Sequence, residues 1–363
     1  MSQSSGTGSS SDDMALPATF RKLVCSKLTQ HFRDAVSIQT LPMLKPGPQD
    51  VLVRNRFTGI NASDINKTAG RYNPADKPPF DIGFESVGEV VGVGSEVKHV
   101  KVGQGVCFMQ NGTFSEYQVL PAKLAIPVPS VQPEHLGLLV SGMTADLSLR
   151  ECGKIKEGET VLVTAAAGGT GQFAVQYAKQ AGCHVIGTCS SDSKAEFLKS
   201  LGCDRPINYK TEDLGQVLKK EYPGGVDVVY ECVGGDMFHT CLRSLAPRGR
   251  LIIIGFVSGY KESQIAAPTI KPNELMGLLA KSTSITGFFL FAFANQWQES
   301  FARQAALFAK GAVKVGVDLG KNSEKGAFKG VDGIMDALDY MYSGKSQGKL
   351  VVEVNEPLPS PGL

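Results

Sequence analysis

A change of rhythm at Thr160 limits the fold more than any other feature. From there six β-branched or apolar strings, "TVLVT", "HVIGT", "RPINY", "VDVVYE", "RLIIIG" and "SITGFF", alternate with helical stretches such as "SKAEFLKSLG" and "DMFHTCLRSLA". Strands that alternate with helices pair in parallel through right-handed crossovers. The first string runs straight into Ala166-Ala167-Gly168-Gly169-Thr170-Gly171, which fits G-x-G-x-x-G with alanine in the first place. Gly168 lets backbone approach a pyrophosphate, and Gly171 lets the following helix pack closely on its strand. The free N–H groups of that helix, beginning near Thr170, would face phosphate. A tight turn alone would explain the glycines without a ligand. The six strands and intervening helices make dinucleotide binding the stronger reading.

The chain before this point reads differently. From Met14 to Ala145, strings such as "DVLVRNRFTGIN", "VGEVVGVG" and "FSEYQVL" lie between turns such as "KPGPQD" and "ADKPPFD". This pattern predicts an antiparallel, barrel-like β domain over residues 14–145. The parallel-sheet domain is expected over 146–290. Residues 291–363 hold a long amphipathic helix, "NQWQESFARQAALFAKG", then a helix and a strand that are expected to rejoin the first domain. The α/β unit would thus be an insert in the β unit. The Ser/Gly-rich residues 1–13 read as a disordered leader and not as a secretory signal.

Thirty-seven Lys and Arg against 35 Asp and Glu leave a net charge of +2, too even for a nucleic-acid or membrane surface. No apolar run approaches the ~20 residues of a membrane span. Eight cysteines are scattered with no C-x-x-C pair, which suits reduced thiols in an intracellular protein. A cytoplasmic address is the default.

An NAD site usually offers Asp or Glu at the end of its second strand, where it accepts from the ribose 2′-OH. Here that strand runs into Cys189-Ser190-Ser191-Asp192-Ser193-Lys194. No acid ends the strand, and Ser190 with Lys194 suits a 2′-phosphate, so NADP(H) is expected. Asp192 stands where a helix N-cap is expected and remains the alternative ribose partner.

"GINASDINKTAGRY", "GFESVGEVVGVG", "AAAGGTG" and "GRLIIIGFVSGY" together resemble the quinone-oxidoreductase and enone-reductase branch of the medium-chain dehydrogenase/reductase superfamily, over nearly the whole chain. That resemblance implies a Rossmann-type doubly wound sheet inserted in a GroES-like β-barrel catalytic domain. It implies NADPH as cofactor and hydride transfer to the C=C bond of an α,β-unsaturated ketone, with 15-oxo-prostaglandins among the family's substrates. It also leaves a peroxisomal address open, although the chain ends "PSPGL" and not S-K-L.

Zinc alcohol dehydrogenases carry Cys in a C-x-S/T-D setting and His in G-H-E. This chain has Asn61-Ala62-Ser63-Asp64 and Gly83-Phe84-Glu85, and lacks the four-cysteine structural loop. Catalytic zinc needs about three protein ligands and an open position, so no metal is expected. Without zinc, a hydrogen-bond donor must meet the negative charge that develops on the substrate oxygen. An enone or quinone accepts hydride on those terms more readily than an alcohol gives it up.

The resemblance maps cofactor contacts onto Thr144, Gly168, Gly169, Thr170, Gly171, Ser190, Lys194, Tyr209, Cys232, Ile254, Tyr260, Phe288, Phe289 and Ser346. It maps substrate-facing roles onto Asn61, Tyr72 and Tyr260. Phe80, Phe84, Phe289, Phe291 and Phe293 could line an apolar pocket, although some must be core. The five histidines match no catalytic motif. A quinone reductase, or a non-catalytic NADPH-binding protein, remains the alternative. A homodimer is expected through the open edge of "SITGFF".

Overall fold

The computed structural model describes residues 16–73, 75–262 and 269–358, so the leader expected over 1–13 lies outside the described residues. All six strings after Thr160 are strands: β1 (Thr160–Val163), β2 (His184–Cys189), β3 (Arg205–Asn208), β4 (Val226–Glu231), β5 (Leu245–Ile253) and β6 (Ser284–Gly287). They form one parallel sheet in the order β3-β2-β1-β4-β5-β6. The order reverses direction beside β1, which opens a crevice at the carboxyl ends of β1 and β4 where α/β sheets take ligands. Valine and isoleucine dominate because both faces are covered: Val161, Leu162 and Val163 are all fully buried.

Helix α1 (Gly171–Gln180) follows the glycine turn and presents Phe173, Ala174, Val175 and Ala178 to the sheet. Each buried aliphatic side chain of this kind contributes roughly 1.5–3 kcal/mol. Helix α2 (Asp192–Ser200) is capped by Ser191, whose hydroxyl accepts the Lys194 N–H at 3.3 Å. Asp192 is therefore the first helical residue and not the cap expected from the sequence.

The other half of the molecule is largely antiparallel. Asp50–Gly59 pairs with Glu85–Val93, which pairs with Gly105–Met109. Near the end of the chain, Lys349–Glu353 returns to pair with Asp50–Gly59, with Val351 opposite Gly59 and Glu353 opposite Phe57. Gly348 donates its N–H to the Ala167 carbonyl at 2.8 Å, so this returning segment also touches the glycine turn. The amphipathic helix expected near 295–311 runs over Trp297–Ala309. The residues that lead into it, Leu290–Gln296, wind as a tighter turn that shares the cleft wall with Phe288 and Phe289.

Candidate active site

A cleft of about 1060 Å³ lies between the two halves. Its floor at one end is the turn after β1. Ala165 adopts a left-handed conformation (φ 47°), which costs an L-residue roughly 1–2 kcal/mol. Two bonds hold it there: its N–H donates to Thr188 Oγ1 at 3.2 Å, and its carbonyl accepts from Gly168 at 2.9 Å. Gly168, Gly169 and Thr170 line the cleft, whereas Gly171 does not. A Cβ on Gly171 would lie 2.7 Å from Ala166 Cα, so this glycine brings helix and turn together and stays beneath the wall.

The remaining positions expected to meet cofactor also line the cleft: Thr144, Ser190, Lys194, Tyr209, Cys232, Ile254, Tyr260, Phe288, Phe289 and Ser346. At the end of β2, Lys194 Nζ donates to the Gly344 carbonyl at 2.7 Å and lies 3.4 Å from Ser190 Oγ. Burial lowers the Lys194 pKa. Asp192 accepts from Asn208 Nδ2 at 2.8 Å, which commits the one acid near this strand end to the neighbouring strand. Tyr209 is exposed on the rim. Burial pushes the Cys232 thiol well above its ordinary value, so it stays protonated. Phe288 is buried and stacks on Phe293 at 5.0 Å, which makes Phe293 core rather than pocket lining.

Asn61, Tyr72 and Tyr260 share the other end of the cleft. The Tyr260 hydroxyl accepts the Phe256 N–H at 3.1 Å, so its own proton is left to donate. Burial raises its pKa, which keeps that proton in place. Tyr72 is about half exposed, and its hydroxyl accepts from Asn66 Nδ2 at 3.4 Å and is pushed up to about 12 by burial. Its ring begins an aromatic wall: Tyr72 to Phe289 at 5.6 Å, Phe289 to Phe291 at 5.2 Å and Phe291 to Phe84 at 4.9 Å. Phe80 takes no part in that wall and sits under Lys67. Gly83, at φ +82°, turns Phe84 into the cleft, and a Cβ there would meet the Phe114 nitrogen at 2.6 Å.

Sequence reasoning missed the pair beneath Asn61. Lys349 and Glu85 are fully buried and form an ion pair. Lys349 Nζ donates to Asn61 Oδ1 at 2.8 Å, and Asn61 Nδ2 donates to Glu85 Oε1 at 2.9 Å. Val140 N–H donates to the other Glu85 oxygen at 2.9 Å. One signal was available: Gly59 ends its strand because a Cβ would run into the Glu85 carboxylate.

This donor set does not fit a zinc ion. An amide and a phenyl ring occupy two positions where zinc enzymes place ligands, and the nearest carboxylate is already neutralised by an ammonium. Among the described residues, no group of three or more His, Cys, Asp or Glu could hold a metal.

Comparison with known proteins places these features among relatives. Residues 47–130 match the alcohol dehydrogenase GroES-like domain, and residues 169–307 match the zinc-binding dehydrogenase family. Mouse prostaglandin reductase-3 is 56% identical over 349 residues, covering 95% of this chain and 92% of the mouse protein. A probable quinone oxidoreductase of Leishmania amazonensis is 45% identical, covering 94% of this chain and all of that protein. The crystal structure of Escherichia coli quinone oxidoreductase complexed with NADPH superposes with a TM-score of 0.77 at 28% identity, covering 92% of this chain and 99% of that one.

Proposed function

Since the chain belongs to the prostaglandin reductase-3 group, within the quinone-oxidoreductase branch of the medium-chain dehydrogenase/reductase superfamily, we propose that it is an NADPH-dependent reductase of α,β-unsaturated ketones. The supporting observation is one cleft that joins a phosphate-type glycine turn to two proton-bearing donors, Asn61 and Tyr260, without a metal-binding set between them. Ser190 and Lys194 would hold the 2′-phosphate, and Gly168, Gly169 and Thr170 the pyrophosphate. Thr144, Cys232, Ile254, Phe288, Phe289 and Ser346 would fix the ribose and nicotinamide end.

Bound NADPH supplies a hydride for the β-carbon of the acceptor. The electron pair displaced from the C=C bond then moves to the carbonyl oxygen. Asn61 and Tyr260 stabilise that oxygen by donating to it, and a donor aimed at charge that develops during the step lowers the barrier. A proton from solvent at the α-carbon completes the saturated ketone. Tyr72, Phe84, Phe289 and Phe291 give the acceptor an apolar, aromatic wall suited to a lipid-like chain, 15-oxo-prostaglandins included. Activity is zinc-independent. NADPH oxidation measured with an enone, with a quinone and with no acceptor tests this reading, together with detection of the saturated ketone. Consumption with quinones alone would favour the quinone reductase, and none with either acceptor would favour a binding protein.

Two chains pair through β6. This strand ends the sheet, and Leu275, Met276 and Leu279 on the preceding helix, Pro272–Lys281, are exposed beside it. Light scattering showing only monomer at micromolar concentration would refute the pairing. A reducing compartment suits eight free cysteines, and fractionation would check the proposed cytoplasmic address.

A further inference from the structure

The side chain of Asn61 is anchored by opposite charges at its two ends. Its carbonyl oxygen accepts from the Lys349 ammonium at 2.8 Å, and its nitrogen donates to the Glu85 carboxylate at 2.9 Å. Its backbone N–H is fixed as well, donating to Asp64 Oδ2 at 2.8 Å. An ammonium can only donate and an ionised carboxylate can only accept. Turning the amide over would set its N–H groups against the lysine and its oxygen against the glutamate. One orientation of the amide is therefore enforced. The nitrogen carries a second N–H, and among the described residues Glu85 is its sole acceptor. Asn61 lines the cleft, which leaves the second N–H to donate there.

Lys349 is 1% exposed and Glu85 is fully buried. Burying such a pair costs several kcal/mol of hydration per ion, and apolar residues of similar volume often do as well or better for stability. The pair is held in place by further bonds: Glu85 accepts the Val140 N–H at 2.9 Å and Lys349 donates to the Ile60 carbonyl at 3.1 Å. Two expensive charges thus converge on one neutral amide at the substrate end of the cleft.

The geometry points to Lys349 and Glu85 as positioning residues for the reduction: they lock the Asn61 amide so that it presents an N–H, and never its oxygen, to the acceptor carbonyl. This rests on the reading of Asn61 as a donor given above. Without Lys349 the amide oxygen loses its ammonium donor, and without both charges the amide can turn so that its oxygen faces the oxygen on which negative charge develops. Glu85 and Lys349 touch neither substrate nor cofactor in this scheme. They act through Asn61 alone.

The test is a double-mutant cycle on kcat at saturating NADPH and enone, using Asn61→Ala, Lys349→Met and the double variant. Lys349→Met should lower kcat about tenfold in the otherwise unchanged enzyme, but less than about twofold when Asn61 is already alanine, since a residue acting through another loses its effect once that partner is gone. NADPH affinity should hold throughout. Lys349→Met leaves Glu85 unpaired and could fail to fold. The charge-free pair Lys349→Met/Glu85→Gln therefore runs in the same cycle, with the same expectation. Equal losses in both backgrounds, or an unchanged kcat in Lys349→Met, would overturn the inference and leave the pair as a structural clasp. An undiminished kcat in Asn61→Ala would instead remove the donor reading itself, and this inference with it.

Discussion

Replacing Lys194 with alanine should weaken NADPH far more than NADH. The ammonium has three N–H groups: one lies on the Gly344 carbonyl at 2.7 Å and a second is 3.4 Å from Ser190 Oγ. The third is left for a phosphate oxygen. Burial lowers the pKa of this lysine, so its surroundings are drier than an open surface. Exposed ion pairs are worth about 0–1 kcal/mol, whereas hydrogen bonds to charged groups in drier sites reach ~1.5–3 kcal/mol. The upper range applies here and corresponds to roughly a tenfold to hundredfold rise in the NADPH dissociation constant. NADH has no 2′-phosphate and should change by less than about twofold, reflecting only the lost bridge to Gly344. Fluorescence titration with both cofactors, backed by kcat/KM with each, measures the difference. A melting curve shows whether losing the bridge loosens the fold. Equal weakening of NADPH and NADH would refute the assignment of Ser190 and Lys194 to the 2′-phosphate.

Tyr260→Phe keeps the ring but removes the proton left free by the Phe256 bond, so kcat should fall about tenfold to a hundredfold if the hydroxyl meets the enolate oxygen. A fall in NADPH affinity alone would restrict Tyr260 to the ribose, and no change in either would remove it from the site. Prolonged chelation should leave turnover intact, and one tightly held zinc per chain by elemental analysis would contradict the reading of Asn61 and Phe84. Burial lifts the Asp64 carboxyl to about 7. Because the folded state thereby favours the protonated form, Asp64 favours folding most below its unfolded pKa of ~3.9, and that contribution drains away as pH rises through 7, at ~1.4 kcal/mol for each pKa unit of separation. Asp64→Asn should therefore flatten the fall in melting temperature between about pH 4 and pH 7, and an undiminished fall would mean that another group is responsible.

The parallel sheet was legible because its signal is local: each β-branched string carries its own evidence of a buried strand, and the glycine turn marks where the first strand meets its helix. The placement of Gly168, Gly169, Thr170, Ser190 and Lys194 along one cleft was legible for the same reason, since each lies within a few residues of a strand end. Lys349 was not. In "GKSQGKLVVEV" it looks like a solvated lysine at the start of a strand, and the acid that neutralises it lies in a different strand near the other end of the chain. Pairing of that kind comes from tertiary closure and leaves no periodic trace. The phenylalanines show the same limit. Phe84 and Phe291 line the cleft while Phe293 packs on Phe288, a division set by the path of the Leu290–Gln296 turn and not by composition.

The returning strand also sets the order in which a newly made chain can become competent. Once Gly287 has left the ribosome, β1 to β6 are all present and the dinucleotide half has its full sheet. Asn61 must wait, because its anchoring lysine is synthesised 288 residues later. Until then Glu85 has no counter-charge, and Asp50–Gly59 lacks the antiparallel neighbour that Lys349–Glu353 provides. Contacts so distant along the chain form late and slowly, because the intervening loop must close first. A nascent or prematurely terminated product could thus fold its cofactor half while its reducing half stays unfinished. Ribosome-stalled intermediates should bind NADPH through the glycine turn, Ser190 and Lys194, without the Ser346 contact, before they can turn over an enone.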